Sequence, residues 1–124
     1  AAIKGEPITV YGDGTQSRVF CHVSDAVEGV LRLFFDDRAL GEAFNIGGEE
    51  EVTIGELAKR VISNVGSPST LQMVPYSEAY PQGFEETMRR VPDTTKLRTL
   101  TGWKPQFSLD GIIKDIESYI RSNA

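Results

Sequence analysis

The segment from Pro7 to Asp25, PITVYGDGTQSRVFCHVSD, restricts the fold more than any other part of the chain. Ile8 and Val10 alternate with Thr9 and Tyr11, the period-two pattern of a short half-buried strand. Gly12-Asp13-Gly14 interrupts it, because glycine reaches backbone angles that a side chain forbids. A second alternation follows, with Val19, Cys21 and Val23 on one face and Arg18, Phe20 and His22 on the other. Ser24 and Asp25 have the character of a helix start, a hydroxyl cap followed by an acid in the first turn. The expected unit is strand, glycine turn, strand, helix. Arg18 enters the second strand with a rigid fork of donors suited to a carboxylate or a phosphate. A surface ion pair is the alternative use of the same group.

Short elements continue along the chain. Val27, Val30, Leu31 and Phe34 recur at helical spacing, which predicts a helix from Asp25 to about Phe35 with one apolar stripe, ended by Asp36-Asp37-Arg38. Residues 42–46 read as a strand stopped by Gly47-Gly48, and Glu49-Glu50-Glu51 as a solvated acidic loop. Thr53-Ile54-Gly55-Glu56 is a capping box; its helix turns Leu57, Ala58, Val61, Ile62 and Val65 inward and stops at Gly66. Leu71 to Pro75 is a further strand with its end at an edge.

Residues 76–88 have no clean period and read as a loop, the kind of segment that carries function. Asp93 caps a helix over 94–100 that Gly102 terminates, with Trp103 and Pro105 expected against its end. Ser108 caps a last helix striped with Ile112, Ile113, Ile116, Tyr119 and Ile120. The expected fold class is α/β, a small mixed subdomain of three to four helices with short strands.

With 124 residues the chain is one domain's worth, residues 1–124. A net charge of −5 and the lack of a basic run argue against a nucleic-acid partner. No apolar stretch approaches the ~20 residues of a membrane span, and no signal-peptide pattern is seen. A lone cysteine excludes an internal disulfide framework, so the expected location is cytoplasmic. Cys21 and His22, as neighbours in a strand, would point to opposite faces, and there is no second histidine; no metal site is expected.

The pattern G-D-G-x-Q-x-R-x-F-x-H-V-x-D, from Gly12 to Asp25, resembles the C-terminal half of extended short-chain dehydrogenases, the NAD-dependent nucleotide-sugar epimerases, dehydratases and decarboxylases. The resemblance extends in order through Phe44-Asn45-Ile46-Gly47, Arg89-Arg90-Val91-Pro92-Asp93 and Leu100-Thr101-Gly102-Trp103-Lys104-Pro105. Residues 76–88 are nearer to UDP-glucuronate decarboxylase-like sequences than to the commonest 4-epimerases. The family implies the C-terminal part of an extended Rossmann-type enzyme, with UDP-sugar or a similar nucleotide sugar as partner.

By position, the resemblance brings Arg18 and Arg90 to the diphosphate, and Thr9 and Tyr11 to the base through backbone contacts and an aromatic face. Packing is an equal explanation for Tyr11. Phe20 and Asp93 would line the nucleotide, although a helix cap explains Asp93 by itself. The sequence contains neither G-x-x-G-x-x-G nor Tyr-x-x-x-Lys, so no cofactor-binding or catalytic residue is assigned. NAD would belong to an N-terminal half of the parent that is absent here.

Ala1-Ala2-Ile3 lacks an initiator methionine, which fits an inactive fragment of such an enzyme. An apolar face left by loss of the Rossmann half is then expected, covered by self-association. The alternative is a free-standing nucleotide-binding or protein-interaction module, which should have no orphan apolar face.

Overall fold

A computed structural model describes residues 1–81 and 85–123. In chain order its elements are β1 (Ile8–Tyr11), β2 (Ser17–Val19), α1 (Val23–Phe34), β3 (Glu51–Thr53), α2 (Ile54–Val65), β4 (Leu71–Val74), α3 (Tyr76–Ala79), β5 (Arg89–Arg90), α4 (Thr95–Thr101) and α5 (Leu109–Ser122). Among the described residues there are thus five α-helices, more than expected because α3 is a single turn inside the presumed loop. Two compact units share the chain. Ala1–Arg18, Val52–Arg90 and Ile113–Ala124 make the first; Val19–Glu51 and Val91–Ile112 make the second.

In the first unit β1 runs parallel to β4, with Ile8 opposite Leu71 and Tyr11 opposite Val74. Parallel neighbours need a crossover, and α2 lies in the connection. Its Thr53 hydroxyl accepts the Glu56 N–H at 3.1 Å, and Gly66 closes it with φ of 65°. A second sheet has the order β3-β2-β5, with β2 and β5 parallel. Val10, Val52, Ala58 and Ile113 are the buried apolar residues around these strands. Leu57, Val61, Ile62 and Val65 are half-buried.

The second unit is built on α1 and α4. Trp103 and Leu97 are fully buried, and the Trp103 indole lies against Gly29, where an added Cβ would meet Nε1 at 3.2 Å. Trp103 therefore packs on α1 as well as following α4, where its backbone N–H donates to the Thr101 hydroxyl at 3.2 Å. Asp25, read as a first-turn acid, is buried: its carboxylate accepts the backbone N–H groups of Gln106 at 2.9 Å and Phe107 at 3.1 Å.

Several expectations need correction. The second alternating run stops being a strand at Val19, so Phe20, Cys21 and His22 do not share a pleat. His22 supplies the cap expected of Ser24: its Nδ1 accepts the Ser24 N–H at 3.2 Å, with the ring stacked on Phe107 at 3.9 Å between centroids. No strand forms at residues 42–46, because a strand is defined by a paired neighbour and none of the described residues ladders with them. Asn45 and Ala43 instead bond through Asn45 Nδ2 to the Asp93 carbonyl and from Lys96 Nζ to the Ala43 carbonyl.

The acidic run is not simply solvated. Glu49 pairs with Arg98 at 2.7 Å, Glu50 accepts the Leu109 N–H at 3.3 Å, and Glu51 begins β3.

The apolar stripe of α1 is also not a core face. Val23, Val27, Val30, Leu31 and Phe34 are all exposed, Phe34 by 78%. On α5, Ile112 and Ile113 are buried whereas Ile116, Tyr119 and Ile120 are exposed. An orphan apolar face of this kind is what a self-sufficient module should lack. No helix of the described residues is long and apolar enough to cross a membrane.

Candidate functional site

Four of the six residues singled out by sequence, Thr9, Tyr11, Arg18 and Arg90, lie in the first unit. Thr9 and Tyr11 are two apart on β1, so the pleat sends both to one face, opposite the buried Val10. Tyr11 is 43% exposed and meets Tyr80 edge-on at 5.6 Å. Tyr80 lies 6.1 Å from the ring of Tyr76. Three aromatic rings therefore line this side of the unit.

The turn after β1 explains how close these rings come. Gly12 has φ of 74°, and a Cβ there would overlap the Tyr76 ring. Gly14, at the same φ, abuts the Gly55 backbone at the start of α2, where Gly55 donates to the Gly14 carbonyl at 2.9 Å. Buried Gln16 ties the turn to the strand by donating from Nε2 to the Tyr11 carbonyl at 2.9 Å. The turn joins two strands instead of opening a helix, and the Tyr76 ring occupies the space beside Gly12, so it does not fit a dinucleotide pyrophosphate.

Arg18 and Arg90 are brought together by pairing. Arg18 stands directly opposite Arg90 in the parallel β2–β5 ladder, with Ser17 opposite Arg89. The Ser17 N–H donates to the Met88 carbonyl at 2.8 Å at the mouth of this ladder. Directly paired residues leave a sheet on the same face, with neighbouring backbones about 4.8 Å apart. Two guanidinium groups thus start from one short segment of one sheet face. No regular structure is legible at Arg89-Arg90, because a two-residue charged strand has no periodicity to reveal it.

Arg18 realises its alternative use as well: Nη2 pairs with the Glu86 carboxylate, while Nη1 donates to the Ser17 carbonyl at 2.7 Å. Arg90 is exposed. The Tyr76 phenol is pushed up from its ordinary pKa by burial, then by the charges of Glu86 and Asp13, against a smaller opposing effect of Arg18. Tyr76 therefore lies within electrostatic reach of both members of the ion pair. Tyr76, Tyr80 and Glu86 were not singled out, because residues 76–88 have no period and a pairing between positions 18 and 86 leaves no local sequence signal.

Phe20 and Asp93 belong to the second unit. Phe20 is 37% exposed, and its carbonyl lies against Gly48, where any Cβ would overlap it. Asp93 accepts the Thr95 N–H at 2.9 Å, so it caps α4 one residue before the backbone cap position, Thr94. The Thr95 hydroxyl and N–H hold its carboxyl below the ordinary range. Half-buried Cys21 has its thiol pushed up by burial and by the nearby Asp25 charge, the reverse of an activated nucleophile. Among the described residues no group of three His, Cys, Asp or Glu side chains could hold a metal.

The family described as GDP-mannose 4,6 dehydratase matches residues 1–116. The UDP-N-acetyl-alpha-D-glucosaminuronate decarboxylase of Bacillus cytotoxicus is 40% identical over 121 residues, which cover 98% of this chain and 37% of that protein. UDP-glucuronic acid decarboxylase 1 of Danio rerio is 39% identical over 121 residues, 97% of this chain and 27% of that one. Among solved structures, UDP-glucuronic acid 4-epimerase from Bacillus cereus, in complex with UDP-glucuronic acid and NAD, has a TM-score of 0.84 at 25% identity. That alignment covers 98% of this chain and 37% of the epimerase. The chain spans between 27% and 37% of the length of these relatives.

Proposed function

The chain belongs to the GDP-mannose 4,6 dehydratase family, within the extended short-chain dehydrogenases that act on nucleotide sugars, and from that premise we propose that it is the portion of a larger, NAD-dependent enzyme that grips the nucleoside diphosphate of a UDP-sugar. The observation that carries this reading is the register of Arg18 against Arg90. Two cations side by side on one sheet face repel each other unless anions neutralise them, as the Glu86 carboxylate does at Arg18. A diphosphate, with about two negative charges, meets that requirement, and a guanidinium fork matches phosphate oxygens in geometry.

The base has a place on the same unit. Tyr11 presents an exposed aromatic ring beside Tyr80, and stacking a base needs little more than a flat face at the right height. Thr9 shares that strand face. Gripping the nucleotide end directs binding energy from a group that does not react toward orienting the sugar that does. NAD, which supplies hydride transfer, belongs in this proposal to chain outside the present sequence, since the glycine turn at 12–14 does not fit it. Phe20 and Asp93 lie in the second unit and are left out of this grip.

The α1 stripe has a role in this proposal too. In a cytoplasmic parent it would be covered by the cofactor-binding portion; in this chain alone it would be covered by self-association. Sedimentation equilibrium should then show dimers that dissociate on Phe34→Glu, and a monomer at all concentrations would count against it.

Calorimetric titration tests the grip itself. UDP should bind more tightly than uridine, and Arg18→Ala should remove most of that difference. Equal binding of UDP and uridine by the unaltered chain would overturn the proposal.

A further inference from the structure

The ion pair between Arg18 and Glu86 is more shielded than Lys96–Glu42 or Arg98–Glu49. Its side chains are 19% and 20% exposed, against 52% and 54% for Lys96–Glu42 and 39% and 46% for Arg98–Glu49. Exposed pairs contribute little, because water and salt screen them; a shielded pair is held more firmly. Glu86 also lies four residues before Arg90, on the segment leading into β5. Its carboxylate therefore meets the guanidinium of β2 close to where the second cation leaves the same sheet.

A carboxylate and a phosphate compete for the same donors of an arginine fork. We infer that Glu86 is an internal counter-ion that occupies the phosphate position on Arg18 until the diphosphate of a nucleotide displaces it. This rests on the reading of Arg18 as a diphosphate ligand and adds to it a residue that sets selectivity. With no ligand bound, Glu86 offsets the repulsion between Arg18 and Arg90. With ligand present, a group must outcompete the carboxylate to reach Arg18. The displacement penalty falls on phosphate-bearing ligands and not on the base alone.

The test compares UDP and uridine affinity for the unaltered chain, Glu86→Gln, Arg18→Ala, the double variant, and Glu28→Gln as a control with the same change in net charge on α1. Glu86→Gln should bind UDP about tenfold more tightly, the gain of a charge-assisted contact freed from competition. Uridine affinity should not change, the double variant should lose the gain, and Glu28→Gln should match the unaltered chain. If Arg18→Ala weakens UDP binding while Glu86→Gln leaves it unchanged or weaker, the counter-ion role is overturned and the arginine reading stands. An equal gain from Glu28→Gln overturns it too, since net charge would then explain the effect. If Arg18→Ala does not alter UDP binding, the arginine reading fails and the inference fails with it.

Discussion

The indole N–H of Trp103 donates to the main-chain carbonyl of Asp25 at 2.9 Å. The same aspartate accepts the Gln106 and Phe107 N–H groups through its side chain, so the segment after α4 is held to α1 by three hydrogen bonds at one residue. Trp103→Phe removes one bond and leaves a gap beside Gly29, where the indole fits closely. A lost buried hydrogen bond and a partial cavity together should cost about 2–4 kcal/mol. Urea denaturation should show a lower midpoint with an unchanged slope. A midpoint within error of the unaltered chain would show that this contact is not what holds the second unit.

β1, the ends of α2 and the αL stop at Gly102 are legible from local signals, because caps, glycines and periods act within a few residues. Burial was less legible. The α1 stripe shows which side of the helix is apolar but not whether anything covers it, and here the buried side is instead that of Asp25 and Gly29. Residues 42–46 have strand character without a partner among the described residues, and pairing is not a property of one segment. At the site, Arg18 and Arg90 were reached through family resemblance, while their register is a tertiary fact. Glu86 lies 68 residues from Arg18, and the aromatic neighbours Tyr76 and Tyr80 lie in an aperiodic segment, so nothing local marks them.

Asp93 gives a pH signature separate from the arginines. The Thr95 hydroxyl, and then its N–H, depress the carboxyl pKa in the folded chain. A depressed carboxyl binds protons more weakly when folded than when unfolded. Its stabilisation is therefore present above the unfolded value, about pH 4, and is lost as pH falls through the lower folded value. Asp93→Asn should be less stable at pH 7, and its stability should fall less than that of the unaltered chain between pH 5 and pH 2. Parallel acid profiles for the two proteins, measured by denaturant titration, would remove Asp93 as a titrating cap.

The central claim is that Arg18 and Arg90 act on one diphosphate, and a double-mutant cycle on UDP affinity tests it most directly. Calorimetry on the unaltered chain, Arg18→Ala, Arg90→Ala and the double variant should show losses of about tenfold or more for each single change. Because both groups grip one ligand, the combined loss should differ from the product of the single losses, while uridine affinity stays level across all four proteins. Single variants that bind UDP as well as the unaltered chain, or that weaken uridine and UDP alike, would contradict the account.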